Sequence, residues 1–519
     1  MKKTLAIMLA LIMVLAMVPA FAEGEVAQIG GTKYATLDKA IEKAADSDTI
    51  VLLADCTTAG MNLSNNLTID GGEAKRTITF NDKGIALWGK SLTFKNCNVV
   101  MNGIGSTPYT AEWNWMAICA SKDASLTLDN TEMTMDGTKT ADNVHAIYFC
   151  SNNKLTLTNS KLEIKNYKQD ALEWDGGDGG YNVNIKNSTF ISNHNRSGFA
   201  GTFAAKIDNS KVDVINSTGN GSNGSHFEIV NGSVVNFSDN NAHGLSTGRL
   251  TIDNSTVTAN GNGANGVHAG DTLIIKNNAV VEIKKNNCSI SSQWTIPGAL
   301  YVAGAEGSNI DKTSAVTITE NKGSGILLKG GSLIIEEDAK LTVMNNTAEK
   351  LEYGGGANVR GDLTLPNSAV FYNNHAAKAG DDIYSEGKIT FGGVGSDWWL
   401  DGAPDCDGKI HKIDGWYEDD ANGKRWQAHK EKPEDNHISP VIATNQPIKS
   451  KVAVKAAHGA NAVEPTPVPT PGGNTGGNGG GNGGGYYHPT TTPVPVIVIP
   501  PKTGDMTIWQ SILHFLGIR

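Results

Sequence analysis

The sequence predicts an all-β fold, a parallel β-solenoid in which one short strand–corner–strand phrase winds around a narrow apolar core. Three observations predict it. The phrase recurs ten times between residues 91 and 374, as in SLTLDNTEMTMDG (125 to 137), KLTLTNSKLEIKN (154 to 166) and RLTIDNSTVTANGN (249 to 262). Within each phrase apolar and polar residues alternate, which is the period of strands and excludes a helical solenoid. The corner asparagines Asn187, Asn209, Asn231, Asn254 and Asn277 follow one another at a nearly constant short interval, and the earlier units repeat at a somewhat longer one. A small, nearly constant period is the mark of stacked turns. The 60 glycines in 519 residues, with asparagine nearly as frequent, supply the many turns such winding needs.

Taken in order, residues 1–22 read as a secretory signal: Lys2 and Lys3, an apolar run, then Ala20-Phe21-Ala22. Cleavage after Ala22 is expected, and the mature chain then lies outside the cytoplasm. Residues 23–55 are expected to cap the solenoid. There Leu37, Ala40, Ile41 and Ala44 fall at helical spacing behind an N-cap Thr36, and Thr49 to Leu53 starts the first strand. Residues 56–395 carry the repeats. Leu126/Leu128, Leu155/Leu157, Leu250/Ile252 and Leu333/Ile335 are the inward pairs that stack from turn to turn. At about 4.8 Å per turn, a dozen turns extend roughly 60 to 70 Å.

At Ser396 the texture changes. Residues 396–430 gather Trp398, Trp399, Trp416, Tyr417 and Trp426 among acidic residues and glycines, a module expected to plug the last turn, with exposed rings as a sugar-stacking alternative. Residues 431–464 read as linker, and 465–500 as a Pro/Gly/Thr-rich spacer that cannot bury a core. Residues 501–519 hold Pro501-Lys502-Thr503-Gly504, an apolar tail and a final Arg519.

Two resemblances rest on these segments. The entry TLDKAIEKAADSDTIVLLAD followed by NLTIDGG resembles the start of right-handed parallel β-helix proteins of the pectin-lyase-like superfamily. FISN (190 to 193), NFSDN (236 to 240), GGGANVRG (354 to 361) and FYNN (371 to 374) are similar to short repeats of bacterial surface β-helix adhesins. The resemblance spans roughly residues 33 to 395 and implies a fold; that fold carries lyases, hydrolases and non-catalytic adhesins alike. The C-terminal order of spacer, P-x-T-G, apolar tail and cation resembles the sortase sorting signal of Gram-positive surface proteins. That resemblance implies transfer at Thr503–Gly504 to peptidoglycan by a sortase-like transpeptidase, hence a cell-wall location. Two departures stand against it: Pro500 replaces the usual Leu, and the tail falls short of the roughly 20 residues that span a bilayer. Ile508, Trp509, Ile512, Phe515 and Leu516 would alternatively form one face of an interfacial helix.

The balance of 43 basic against 53 acidic residues, net −10, leaves no basic stripe and argues against nucleic acid as partner. Six cysteines make no disulfide scaffold in a chain of this length. Cys119 and Cys150 end equivalent strands one turn apart, so contact or a bond between them is expected. Cys97 takes the corner position held by Thr131 and Ser160 in later turns, and Cys56, Cys288 and Cys406 lack metal-ligand spacing.

The superfamily resemblance implies, for an enzyme, either aspartate pairs for hydrolysis or carboxylates with Ca²⁺ and a basic residue for β-elimination. The hydrolase signatures are missing: Ala242-His243-Gly244 is a partial echo, and Asp381-Asp382 follows it in the wrong order. The best candidate cluster is QDALEWDGGDGGYN, where Asp170, Glu173, Asp175 and Asp178 gather beside Trp174, with His194 and Arg196 about one turn later. Asp175 and Asp178 are the candidate metal ligands and Arg196 the base or charge neutraliser. Trp113 and Trp115, with Tyr109, are further candidates for sugar stacking, as are Trp174, Trp398, Trp399, Trp416 and Tyr417. The first expectation is a wall-anchored, non-catalytic adhesin that binds polysaccharide, mucin or a host surface protein without cofactor. The alternative is an extracellular polysaccharide lyase or glycoside hydrolase, with Ca²⁺ as its ion, and the third a structural wall component.

Overall fold

The computed structural model describes residues 24–105, 115–150, 152–176, 180–288, 298–304, 307–349, 353–400, 411–419, 440–441 and 451–458. Residues 1–22, the spacer and the sorting-like tail with Thr503 and Gly504 lie outside them, as do Tyr109, Trp113, Asp178, Cys406 and Trp426.

The chain winds as a parallel β-solenoid of about 12 turns. Each turn contributes a strand to a first face, a corner, a strand to a second face and, in most turns, a strand to a third. On the first face Ser91–Lys95, Ser125–Asp129, Lys154–Thr158 and Val183–Lys186 pair in parallel without register slip. The second face stacks 13 strands from Cys56–Thr58 to Val370–Tyr372. The third face runs through Ile85–Trp88, Met116–Ser121, His145–Cys150, Leu172–Asp175 and Phe199–Gly201.

Register turns the sequence alternation into a core. Leu126 lies beside Leu155 and Leu155 beside Val183, while Leu128, Leu157 and Ile185 form the next inward column. All are buried, and polar Thr127, Thr156 and Asn184 point out between them. Midway, Phe190, Phe199, Phe203, Phe227 and Phe237 fill the interior with ring centroids 5.0 to 6.1 Å apart. Burying each such ring contributes about 1.5–3 kcal/mol.

The corners explain why asparagine repeats. Asn96, Asn130, Asn159, Asn187, Asn209, Asn231, Asn254 and Asn277 all adopt φ between +46° and +58°. Asparagine tolerates that left-handed conformation better than other non-glycine residues. Its side chain also bridges turns: Asn130 Nδ2 donates to Asn96 Oδ1 at 2.7 Å and Asn209 Nδ2 to Asn187 Oδ1 at 2.8 Å. The small polar residue that follows makes a second ladder. The backbone N–H groups of Thr131, Ser160 and Ser188 donate to the hydroxyls of Ser160, Ser188 and Ser210, each at 3.0 Å. Cys97 fits the same corner, its buried thiol donating to the Lys95 carbonyl at 3.1 Å.

The N-terminal helix is Leu37–Lys43, and Thr36 Oγ1 accepts from Lys39 N at 3.2 Å as its N-cap. An antiparallel hairpin, Ala27–Ile29 with Thr32–Tyr34, precedes it and pairs with Asp48–Leu52. Strands this short carry too little alternation to announce themselves in sequence. At the other end Val452–Ala457 runs antiparallel to both Ile383–Ser385 and Gly415–Glu418. This strand falls in the stretch 431–464 expected as linker, and it covers the open edge of the last turn. Trp398, Trp416 and Tyr417 are buried there, and Trp416 Nε1 donates to Gly392 O at 3.1 Å. They pack as a plug, with Trp399 half-buried.

The register also decides between the two cysteine readings, contact and a bond. Cys119 faces Tyr148 and Cys150 faces Asp175, so the thiols stand two positions out of step on one face, share a small apolar cluster and are both free. Cys56, Cys97 and Cys288 are free as well.

Candidate functional site

The third face places the chemistry. Ile147 pairs with Leu172, so His145 lies beside Asp170, Tyr148 beside Glu173 and Cys150 beside Asp175. One turn on, the corner before Phe199–Gly201 brings Arg196 over Asp170. Three turns thus deliver seven polar or titratable side chains to one patch.

Asp170 is fully buried and Arg196 holds both its oxygens, Nε donating to Oδ1 at 3.0 Å and Nη2 to Oδ2. The hydrogen bond to Asp170, then its charge and that of Glu173, raise the Arg196 pKa against the opposing effect of burial. His145 is 8% exposed. Its Nδ1 sits 2.5 Å from Glu173 Oε2 and 3.5 Å from Asp170 Oδ2. Neither Nδ1 nor Glu173 Oε2 forms a hydrogen bond of acceptable geometry, although both atoms are buried. Tyr148 donates its hydroxyl to Asp175, and burial followed by that bond pushes the phenol pKa up. Trp115 walls the patch, its ring 5.4 Å from that of His145 and 5.0 Å from that of Tyr148, both edge-on. Trp88 and Cys150 pack on the same small apolar cluster of Ala86, Met116, Cys119 and Tyr148.

Of the residues expected from sequence, Asp170 and Arg196 pair directly, and Glu173 and Asp175 join the same patch through His145 and Tyr148. His194 does not: it is an exposed corner residue with φ +55°. Trp174 is a correction, because alternation turns it inward. It is fully buried, packs against Phe149 and Phe203 and donates Nε1 to Asn153 O at 3.2 Å. It presents no surface for a sugar. Trp398, Trp416 and Tyr417 are likewise buried in the plug. Sequence reasoning missed His145 and Tyr148. The signal was present, since HAIY (145 to 148) aligns with DALE (170 to 173) once Ile147 is matched to Leu172.

Among the described residues, one trio has donor atoms close enough to share an ion: His145, Asp170 and Glu173, within 4.8 Å of one another. Its imidazole sets it apart from the oxygen-only shell that Ca²⁺ takes. Asp175, expected as a ligand, instead accepts from Tyr148.

Where the third face turns toward the first, the following turns line a cavity of about 470 Å³ with Tyr181, His226, Arg249 and Asp271. Tyr181 donates its hydroxyl to Glu228, which Lys206 also holds at 3.0 Å. Burial and the Arg249 charge lower the His226 pKa.

No family model and no curated protein matches the chain. Among solved structures, the periplasmic alginate epimerase AlgG and a point mutant of it align over 73% of this chain and 96% of theirs, at 10% identity and a TM-score of 0.22. So low a score carries no argument about this chain, and its fold is established by its own strand register.

Proposed function

We propose that the protein is an exported enzyme that modifies an anionic polysaccharide by proton transfer at the patch of His145, Tyr148, Glu173, Asp175 and Arg196. The observation that carries this reading is the convergence of two acid–base pairs and one guanidinium from three successive turns. His145 with Glu173 and Tyr148 with Asp175 are the pairs, and Arg196 rises between the turns, half-exposed. A buried carboxylate, Asp170, and a buried imidazole, His145, lie here beside the partly exposed Glu173 and Arg196, a pattern typical of working sites.

The chemistry suits a uronate unit. Arg196 neutralises the sugar carboxylate and so acidifies the adjacent C–H. Glu173, held by His145, accepts that proton, and Tyr148, kept protonated by its raised pKa, donates one from its hydroxyl. Return of a proton to the carbanion on the other face gives an epimer. Expulsion of the oxygen at the next carbon, protonated by Tyr148, gives chain cleavage. The cavity at Tyr181 and Arg249 provides room for further units of an extended chain.

Export and wall attachment belong to this proposal through the sequence of residues 1–22 and 465–519 alone. So does relationship to the pectin-lyase-like superfamily, which the parallel solenoid supports.

The test incubates the protein with uronate polymers in deuterated water and reads new chain ends and deuterium at the carbon beside the carboxylate. Incorporation or cleavage that disappears in Glu173→Gln and Tyr148→Phe supports the enzyme. Polymer binding with neither product removes it and favours the adhesin.

A further inference from the structure

We infer that His145, Asp170 and Glu173 form a binding site for one divalent metal ion of the zinc or manganese class; the inference concerns the same patch and rests on its being a working site. The ligand atoms are His145 Nδ1, Asp170 Oδ2 and Glu173 Oε2, all within 4.8 Å of one another.

Proximity of acidic groups does not make a metal site, and two further observations point to an ion. The first is a crowded pair of donor atoms. His145 is more than nine-tenths buried, yet its Nδ1 and the neighbouring Glu173 Oε2 lack a hydrogen bond of proper geometry. The two atoms meet each other at 2.5 Å, and leaving such buried atoms without a proper hydrogen bond costs about 1–3 kcal/mol, which a cation shared by both would offset. Binding one parts the two atoms from their present 2.5 Å, since two ligands of one ion stand about 3 Å or more from each other. The second observation is charge. Asp170, Glu173 and Asp175 bring three carboxylates into the patch, and the guanidinium of Arg196 pairs with Asp170 alone. A divalent ion balances the remainder.

Arg196 does not compete for the whole of Asp170. Its Nε holds Oδ1 at 3.0 Å, and its side chain is 47% exposed, so Nη2 can leave Oδ2 to the ion while the first bond stays. Glu173 keeps 19% of its side chain exposed at the rim. The ion therefore meets solvent on that side, where a water or a substrate oxygen completes its shell, as at three-ligand catalytic sites.

The donor set selects the ion. Imidazole suits Zn²⁺ and other first-row ions, whereas Ca²⁺ and Mg²⁺ prefer oxygen alone. Tyr148 and Asp175 stay outside the shell, tied to each other.

The experiment strips the full-length protein with EDTA, removes the chelator, and titrates it with Zn²⁺, Mn²⁺ and Ca²⁺ by calorimetry, with elemental analysis for stoichiometry. The expected result is one Zn²⁺ or Mn²⁺ per chain, bound at least tenfold more tightly than Ca²⁺. His145→Ala and Glu173→Gln should each weaken it more than tenfold, and Tyr148→Phe should leave it unchanged. Glu173→Gln sits at the rim and keeps the side-chain shape, so it reads the site even where His145→Ala perturbs folding. Two results overturn the inference: absence of one-to-one binding, or binding that Glu173→Gln leaves intact. A site that prefers Ca²⁺ and ignores a folded His145→Ala overturns it too. The two proposals fail separately. Metal bound without polysaccharide turnover removes the enzyme and keeps the site; turnover by a chain that binds no metal does the reverse.

Discussion

Asn374 and Asp382 close a ladder of buried amides: the backbone N–H and the Nδ2 of Asn374 donate to Asp382 Oδ1 at 3.1 and 2.9 Å. Upstream, Nδ2 of Asn240, Asn262, Asn286, Asn321 and Asn346 each donates to Oδ1 of the next asparagine, ending at Asn374. Each amide passes its acceptor need to the following turn, so the last member must accept without donating. A carboxylate does so, and Asp382 Oδ2 takes the N–H of Ala456 in the closing strand at 2.8 Å.

Burial raises Asp382 to about 7, the N–H donors offsetting part of that rise and Asp381 adding to it. A carboxyl whose folded pKa lies above its unfolded value holds its proton longer in the native state. Stability of the C-terminal closure should therefore fall as pH rises from about 4 to 7 and then level off. Chemical denaturation followed by Trp416 fluorescence checks it. Asp382→Asn should flatten this dependence relative to the wild type, and should cost about 1–3 kcal/mol because its amide N–H₂ would face the Ala456 donor. The neighbouring Asp381, Lys455 and Asp419 are common to both proteins, so the comparison reads the Asp382 carboxyl together with its coupling to Asp381.

At the candidate site, Glu173→Gln and Tyr148→Phe should each lower turnover of a uronate polymer by about 10²–10⁴-fold with little change in melting temperature. Trp174→Ala is the contrast. Its ring fills the core, so the loss should be about 3–5 kcal/mol of stability, read by denaturant midpoint.

The corner ladder predicts a graded series. Asn209 holds φ +46° and donates to Asn187 Oδ1. Asn209→Ala should cost about 1–2 kcal/mol through left-handed strain alone. Asn209→Gly should cost less, since glycine removes the strain and loses only the bond. Equal losses in the two variants would show that the side-chain ladder, and not the backbone, sets the corner.

The thiols should be silent in the native protein. Desolvation pushes Cys97, Cys119 and Cys288 up to about 12 and Cys56 to about 11. Maleimide at pH 7 should label these four only after denaturation. Rapid native labelling of Cys119 would contradict its packing beside Tyr148.

The amino-acid sequence by itself determined the solenoid, because alternation, corner asparagines and a nearly fixed period are local patterns repeated many times, and repetition averages out single-residue ambiguity. It also determined the corner roles of Asn and Ser and the N-cap at Thr36. Four of the site's members, Asp170, Glu173, Asp175 and Arg196, were legible as a charged loop near one corner. Only the tertiary structure decided which of them touch. Pairing depends on the register between turns of unequal length, and a slip of a single position turns a side chain to the other face. That register sent Trp174 inward, left Cys119 and Cys150 unbonded, and set His145 and Tyr148 against the acidic loop. The closing strand Val452–Ala457 was invisible for a related reason: its partners, Ile383–Ser385 and Gly415–Glu418, lie far from it along the chain, so nothing in its own short pattern marked the edge it covers.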